Sequence, residues 1–185
     1  MDEVQRARFL SHIERDSERM ARTIDGLLRL SRLENQTVQT VKSAQTETGL
    51  VLATTLKSIV AEHGPRIVLS LAADLREHLA IDREHLEAVL NNLLENALRH
   101  GAPHEVRVDV QNRPDGTAVQ LRITDRGPGI SDVHRERIFN RFFTTRRDEG
   151  GTGLGLSIVR AIARARGGDV SFVSGRDGTT FRVEL

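Results

Sequence analysis

Residues 148–159 read "DEGGTGLGLSIV" and place glycines at positions 150, 151, 153 and 155, immediately before an apolar run. The apolar run predicts a helix from about Leu154 to Arg166. The N-terminus of a helix has unpaired backbone N–H groups and partial positive charge, so it attracts phosphate. Glycines there remove the side chains that would hold a phosphate away. A flexible loop explains the glycines equally well, and their spacing matches neither a P-loop nor the dinucleotide fingerprint.

The composition narrows the possible classes of protein. Lys and Arg number 27 against 26 Asp and Glu, a balance that argues against nucleic-acid binding. Cysteine is absent, which excludes disulfides and thiolate metal sites. Since no apolar run approaches the roughly 18 residues that cross a bilayer, we expect a soluble, cytosolic chain. The chain begins inside a helical pattern, so we expect a fragment of a longer protein, and a membrane anchor upstream stays open.

The first 36 residues predict one long helix with an apolar stripe. The stripe follows a 3-4 spacing through Leu10, Ile13, Ser17, Met20, Ile24, Leu27 and Ser31. An isolated helix has nothing to bury such a stripe against. Either the stripe packs on the rest of this chain, or, as we favour, it pairs with a second chain or a missing helix. Residues 37–47 are polar and aperiodic and predict a linker, which could include a short strand.

The remaining residues, 48–185, show a globular pattern in which helices and hairpins alternate. The stretch "GLVLATTLKSIVAEHG" at residues 49–64 predicts a helix that Gly64 ends, and Asp82 is expected to cap the next helix. Strands are predicted at 66–73 and, more briefly, at "HLAI", and hairpins at 105–124 and 169–185. Because hairpins dominate, we predict a mixed sheet with helices on one face, an α/β (α+β) two-layer sandwich.

A second stretch, "DRGPGI" at residues 125–130, follows a predicted strand. A carboxylate held at the strand end can accept a hydrogen bond from an exocyclic amine. Adenine has an amino group at that edge where guanine has a carbonyl, so a fixed Asp125 would select adenine. Gly127 and Gly129 would let the base approach the backbone. The alternative is a tight turn, in which Asp and Gly are common.

A third stretch, "NNLLENALRHG" at residues 91–101, places polar side chains on an otherwise apolar helix. Asn92 and Asn96 are four residues apart and share a face, which Arg99 and His100 roughly continue. Amide oxygens suit Mg²⁺, and an arginine can neutralise phosphate charge. A solvated polar face would show the same pattern.

These three stretches, in this order, resemble the ATP-binding catalytic domain of sensor histidine kinases. That family shares a superfamily with DNA gyrase, the Hsp90 chaperones and the mismatch-repair ATPases. "NNLLENALRHG" resembles the N box, "DRGPGI" the first glycine box and "GGTGLGLSIV" the second. "IFNRFFTT" at 138–145 is similar to the F box, and "DGTTFRVEL" to the terminal strand. The resemblance covers residues 48–185 and implies a Bergerat-type ATP-binding fold.

The resemblance also implies a role for each site residue. Asp125 would bind the adenine amino group, with Thr179 supporting a bridging water, and Asn96, assisted by Asn92, would hold Mg²⁺. Arg99 and His100 would contact phosphate or ribose. Residues 141–153 would form a lid over ATP. The catalytic residues would be Asn92, Asn96 and Arg99, and the wider binding set adds Gly127, Gly129, Ile130, Phe142, Gly151, Thr152, Gly153, Leu154, Gly155 and Leu156.

The long helix resembles the second helix of the hairpin that dimerises these kinases and carries their phosphoacceptor histidine. The first helix of that hairpin is missing. His12 is the one histidine in the helical region, but Ile13 follows it and Ser17 stands where a proline is expected, so it is rejected as the acceptor. The resemblance implies a homodimeric parent protein, phosphoryl transfer to a histidine on the missing helix and relay to a response regulator receiver domain. The fragment alone is not expected to autophosphorylate.

One position distinguishes this chain from the hydrolytic members of the superfamily. They have a glutamate that activates water one turn before the metal-binding asparagine, where this chain has Asn92. An amide is a poor general base, so transfer to a side chain is expected instead of rapid hydrolysis. Two alternatives remain open: an anti-sigma-factor-type serine kinase, and a degenerate module that binds ATP and dimerises without catalysis.

Overall fold

The computed structural model describes residues 2–35, 50–116, 118–147 and 150–185, so the linker predicted at 37–47 lies outside the described residues. The described elements, in chain order, are α1 (Glu3–Asn35), β1 (Leu50–Val51), α2 (Leu52–Glu62), β2 (Ile67–Leu71), β3 (His78–Leu79), α3 (Arg83–His100), β4 (Val106–Asn112), β5 (Val119–Thr124), α4 (Asp132–Arg135), α5 (Gly155–Ala165), β6 (Val170–Gly175) and β7 (Gly178–Glu184).

Five strands form one mixed sheet in the order β2-β4-β5-β7-β6. Strands β2 and β4 are parallel because β3 and α3 lie between them and return the chain to the same end of the sheet. The other neighbouring pairs are antiparallel. Both predicted hairpins are confirmed, since β4 pairs with β5 and β6 pairs with β7. In the second hairpin Phe172 lies opposite Phe181 with ring centroids 6.0 Å apart.

The sheet has one apolar face and one polar face because side chains alternate along its central strands. On β5, Val119, Leu121 and Ile123 are buried, whereas the residues between them are partly exposed. Helices α3 and α5 cover the apolar face. Their buried residues are Leu86, Ala88, Val89, Leu90, Leu93, Leu94 and Ala97 on α3 and Ser157, Ile158, Val159, Ile162 and Ala163 on α5. The predicted two-layer α+β sandwich with a mixed sheet is therefore confirmed.

Two local predictions need correction. Leu50 and Val51 were expected to begin a helix but form β1, which pairs with β3. A short apolar run fits a strand and a helix equally well, so periodicity could not separate the two. Asp82 does occupy the N-cap position of α3, yet its side chain makes no capping bond. Its Oδ2 accepts a hydrogen bond from Arg166 at 2.9 Å instead and so links the end of α5 to the start of α3.

Helix α1 contacts the sandwich through its last turns, where Leu30 and Leu33 are buried. Gly26 is buried too, and a Cβ at that position would lie 2.9 Å from Cδ1 of Leu154. Every residue of the predicted stripe is exposed, so the body of the chain does not cover it, and its pairing with a second chain or a missing helix stays a prediction. The exposed large apolar side chains of α1 are Phe9, Leu10, Ile13, Met20, Ile24, Leu27 and Leu28.

We predict that Gly26→Leu separates α1 from α5 without unfolding the sandwich. Leucine favours a helix over glycine by about 0.8–1 kcal/mol, but its side chain would collide with Leu154. Amide hydrogen exchange around Leu30 and Leu33 should accelerate, while exchange in the central strands stays unchanged. Ala21→Leu, which adds a leucine at an exposed position of the same helix, is the control. Unchanged exchange around Leu30 in Gly26→Leu would contradict the prediction.

Candidate functional site

A cavity of about 800 Å³ lies between the helices and the loops at one end of the sandwich. Helix α3 forms one wall, and the N-terminus of α5 with the preceding glycine run forms another. The loop after β5 and helix α4 close the cavity on the side of the sheet. The last turns of α1 form the remaining wall through Arg22, Asp25, Gly26 and Arg29.

Asp125 lines the cavity directly after the end of β5. Its backbone N–H donates to the carbonyl of Thr179 at 2.9 Å, which fixes the residue against β7. Its side chain is only 5% exposed, and its Oδ1 accepts hydrogen bonds from the N–H groups of Gly127 at 2.8 Å and Thr179 at 3.3 Å. Burial raises the pKa of this carboxyl, and the two backbone N–H groups oppose the rise. Since both bonds end on Oδ1, Oδ2 is the oxygen available to a ligand.

The glycines after Asp125 are required by close backbone contacts within the protein. A Cβ on Gly127 would lie 2.6 Å from the carbonyl oxygen of His100. Gly129 has a positive φ of 78°, and a Cβ there would lie 2.0 Å from the carbonyl oxygen of Gly175. The expected approach of a base is therefore not the only reason for these glycines, because the loop itself packs on α3 and β6.

Helix α3 presents a polar strip to the cavity, made of Asn91, Asn92, Glu95, Asn96 and Arg99. The Nδ2 of Asn92 donates to the carbonyl of Ala88 one turn earlier at 2.7 Å, which fixes the orientation of the amide. Its Oδ1 then faces α5. The Oδ1 of Asn91 is buried and has no hydrogen-bond partner among the described residues. With Asn96, the strip thus has three amide groups on the cavity wall that a ligand could use.

The start of α5 opens onto the same space. No side chain caps this helix, although Leu154 N–H donates to Thr152 Oγ1 at 3.3 Å. A Cβ on Gly155 would lie 2.5 Å from Asn92 Oδ1, so the helix end and the amide are in direct contact. Gly153 has a positive φ of 70°, and a Cβ there would lie 2.4 Å from the backbone of Phe142. Glycines here let the helix N-terminus, α3 and the preceding loop approach one another.

The two adjacent phenylalanines of the F-box stretch have different positions. Phe143 lines the cavity, with its ring 5.3 Å from that of His134 and 4.8 Å from the guanidinium carbon of Arg137. Phe142 has a positive φ of 63°, is 47% exposed and lines a second groove together with Met20 of α1. The lid expected at 141–153 is described except for residues 148 and 149.

The structure brings most of the predicted site residues to one cavity, and it places two elsewhere. Gly127 and Phe142 are not on the cavity wall, for the packing reasons given above. The predicted residues that line the cavity are Asn92, Asn96, Arg99, His100, Asp125, Gly129, Ile130, Gly151, Thr152, Gly153, Leu154, Gly155, Leu156 and Thr179.

Thr179 lines the cavity, and the expectation that its hydroxyl supports a water beside the base stays a prediction. Its Oγ1 lies 2.8 Å from Ser174 Oγ, which also accepts a hydrogen bond from Ile130 N–H at 2.7 Å. The described contacts of Thr179 with Asp125 run through its backbone N–H and carbonyl. Ser174 therefore links β6 to the loop that carries the carboxylate.

Several cavity residues were not predicted from the sequence. The doublet before "LLEN" could have indicated Asn91 beside Asn92, and Glu95 lies on the same helix face. His134 gave no signal, because an isolated histidine in a polar segment is common. The residues of α1 could not be connected with this site from the sequence, because about 60 residues separate them from α3.

The cavity combines two chemically different ends. A buried carboxylate accepts hydrogen bonds where Asp125 lies, and the uncapped N-terminus of α5, with Arg22 beside the preceding glycine run, favours negative charge at the other end. Arg29, Arg99 and Arg146 also line the cavity. Such a cavity suits a ligand that has a hydrogen-bond donor at one end and anionic groups at the other.

Comparison with known families identifies the class of protein. The family model described as "Histidine kinase-, DNA gyrase B-, and HSP90-like ATPase" matches residues 81–185. The chain belongs to this family. The matched residues include α3, the loop after β5 and the glycine run, which form the walls of the cavity other than the one contributed by α1. The family resemblance inferred from the motifs is thereby confirmed.

Individual relatives place the chain near the sensor histidine kinases. The chain is 30% identical over 183 residues to the sensor-like histidine kinase SenX3 of Mycolicibacterium smegmatis, a match that covers 96% of this chain and 47% of that protein. It is 34% identical over 184 residues to the sensor histidine kinase TrcS of Mycobacterium tuberculosis, covering 95% of this chain and 36% of that protein. The chain thus spans less than half the length of these curated relatives.

Solved structures share the fold. Full-length ShkA, solved in complex with AMPPNP, superposes on the whole chain with a TM-score of 0.78 at 23% identity, and the match covers 39% of that protein. The Acinetobacter baumannii histidine kinase AdeS does so with a TM-score of 0.71 at 22% identity, with 85% of that chain covered. Across the described parts of our chain, no helix has both the length and the apolar character to cross a membrane.

We predict that Asp125→Asn becomes more stable relative to the wild type as pH rises. Burial raises the carboxyl pKa in the folded state, so the unfolded chain ionises first and the wild type loses free energy of unfolding between the ordinary and the raised pKa. The variant has no charge to bury at this position. Urea unfolding followed by circular dichroism across that pH window measures the difference. Asp109→Asn, on the polar face of the sheet, is the matched control. If the difference in free energy of unfolding between Asp125→Asn and the wild type did not change with pH, the raised pKa of Asp125 would be refuted.

Proposed function

We propose that this chain is the ATP-binding catalytic region of a sensor histidine kinase. It binds ATP with Mg²⁺ and delivers the γ-phosphoryl group to a histidine on a dimerisation helix that is not part of this sequence. In this assignment residues 1–36 belong to the dimerisation and phosphoacceptor hairpin, 37–47 to a linker and 48–185 to the ATP-binding domain. A response regulator receiver domain takes the phosphoryl group in the next step, and the exposed stripe of α1 supports a homodimeric parent protein.

The observation that carries the proposal is the buried Asp125 at the opposite end of the cavity from an uncapped helix N-terminus. Its free Oδ2 is suited to the adenine amino group, while the N–H groups at the start of α5 and the nearby arginines are suited to the phosphates. Guanine would leave the buried carboxylate opposite a carbonyl oxygen, which is unfavourable. This arrangement favours adenine nucleotides over other anionic ligands.

The amide oxygens of α3 fit Mg²⁺ that arrives with the phosphates. Asn92 Oδ1 lies against the start of α5, and Asn96 lines the cavity one turn later. Amide and phosphate oxygens are ligands that Mg²⁺ prefers, and the ion would neutralise phosphate charge. The described residues hold no group of three or more His, Asp or Glu side chains that could bind a metal by themselves. Asn96, assisted by Asn92, would therefore complete a Mg²⁺ coordination shell in which most of the protein-bound ligands are phosphate oxygens of the nucleotide.

The site favours transfer to a side chain over hydrolysis. Asn92 cannot act as a general base for water because an amide does not accept a proton at neutral pH. A neutral imidazole needs no such base, since its own nitrogen attacks the γ-phosphorus. The bond to the bridging oxygen breaks, and ADP leaves with the electron pair. Arg99, His100 and the helix N-terminus would position the phosphates and stabilise their charge during the transfer.

The decisive test is nucleotide binding by Asp125→Asn, measured by calorimetry with ADP and GDP in the presence and absence of Mg²⁺. Losing a hydrogen bond to a buried charge should weaken ADP binding about 10- to 100-fold and leave GDP binding no weaker. Asp109→Asn should bind ADP like the wild type. Equal ADP affinity in the wild type, Asp125→Asn and Asp109→Asn would contradict the proposed adenine site.

Phosphoryl transfer separates the kinase from the alternative of a degenerate binding module. The chain is incubated with γ-labelled ATP and the separately produced hairpin of its parent protein that carries the acceptor histidine. Label should appear on the hairpin in an acid-labile form, as expected of a phosphohistidine. Tight ADP binding without such transfer would favour the degenerate module, and acid-stable label on a serine would favour the serine-kinase alternative.

Gly155→Ala provides an independent test of the contact between α3 and α5. The added Cβ would lie 2.5 Å from Asn92 Oδ1 and force the amide away from the helix end. We predict about a tenfold loss of Mg²⁺-dependent ADP affinity with only a small change in melting temperature, because the helix propensity of alanine, at most about 1 kcal/mol better than that of glycine, offsets part of the cost of moving the amide. Gly175→Ala, where a Cβ meets open space, should bind like the wild type. An unaltered affinity in Gly155→Ala would argue against a role for this contact.

A further inference from the structure

One wall of the cavity is formed by α1, which precedes the ATP-binding domain. Arg22, Gly26 and Arg29 are separated by four and three residues, so they lie on one face of the helix. All three line the cavity, although the two arginines are exposed to solvent on their outer side. The face that α1 turns toward the nucleotide site therefore has a cation on each side of a glycine.

Gly26 lies where α1 meets the start of α5. It is buried, and a Cβ there would lie 2.9 Å from Cδ1 of Leu154, the residue at the N-cap of α5. Leu30 and Leu33, on the following turns of α1, are buried as well and hold the helix in this position. Helix α1 thus crosses the N-terminus of α5, the end that the proposed function assigns to the phosphates.

The side chain of Arg22 reaches the glycine run. Its guanidinium nitrogen Nη2 lies 3.4 Å from the position that a Cβ on Gly150 would occupy. Arg29 lines the same cavity about one turn beyond Gly26. From the domain side, Arg99 and Arg146 also line the cavity. Asp25 is the one acidic residue that α1 adds to this wall, so the described part of the helix still contributes net positive charge there.

We propose that α1 completes the phosphate end of the site, with Arg22 and Arg29 contacting the terminal phosphate of a bound nucleoside triphosphate. This inference rests on the proposed function and deepens it. The arginines would discriminate between triphosphate and diphosphate, since a diphosphate lacks the group they contact. The triphosphate in turn would hold α1 against α5, so the position of the long helix and the state of the nucleotide would depend on each other.

The test compares AMPPNP and ADP binding, with Mg²⁺, to the wild type and to the double variant Arg22→Gln/Arg29→Gln. Glutamine keeps much of the side-chain stem and removes the charge. AMPPNP affinity should fall at least tenfold and ADP affinity less than threefold. The matched control is Arg6→Gln/Arg32→Gln, which removes two exposed charges of α1 that are not on the cavity wall. Circular dichroism verifies that each variant is folded.

A second variant moves the helix without changing its charge. Gly26→Leu should lower AMPPNP affinity selectively in the same way, because it displaces both arginines from the cavity. Equal losses for AMPPNP and ADP, or no loss in the double variant, would overturn the inference while leaving the adenine site intact. Failure of the wild type to bind either nucleotide would instead overturn the proposed function, so the two failures are distinguishable.

Discussion

The contact between α3 and the start of α5 determines the shape of the cavity. Gly155 has no side chain, so Asn92 Oδ1 occupies the space where a Cβ would be. Both helices rest on the apolar face of the same sheet, and their inner residues are fully or nearly fully buried. A closely packed core resists small displacements, so the distance between the amide strip and the helix N-terminus is fixed. The polar site therefore depends on apolar packing beneath it.

The opposite end of the cavity depends on the sheet. Asp125 continues β5 beyond its last residue and is tied to Thr179 of β7 by hydrogen bonds in both directions. Burial of the carboxylate costs free energy, which the N–H groups of Gly127 and Thr179 partly offset. A buried group with a perturbed pKa beside a cavity is typical of functional sites. In this chain the carboxylate whose burial costs free energy is also the group to which we assign the selectivity for adenine.

Residues that are adjacent in the sequence can reach different sites, as the F-box stretch demonstrates. Phe143 packs on His134 in the cavity wall, whereas Phe142 faces a groove beside α1. The left-handed backbone of Phe142 accompanies the close approach of Gly153, a contact between segments that no local pattern reveals. The same holds for Gly127 and Gly129, whose lack of a Cβ makes room for the protein's own backbone.

The sequence by itself determined the elements and their order. Alternating residues predicted the hairpins and helical spacing predicted the polar face of α3, because these patterns are local and follow from the pitch of a helix or strand. The family followed from the resemblance of the motif stretches to those of known proteins. Only the tertiary structure decided which side chains share the cavity. It brought Asn91 and His134 to the cavity wall, placed Phe142 in a separate groove, and put Arg22 and Arg29 of α1 on the wall of the cavity. Those outcomes arise from contacts between segments far apart in the chain, and such contacts leave no periodic signal.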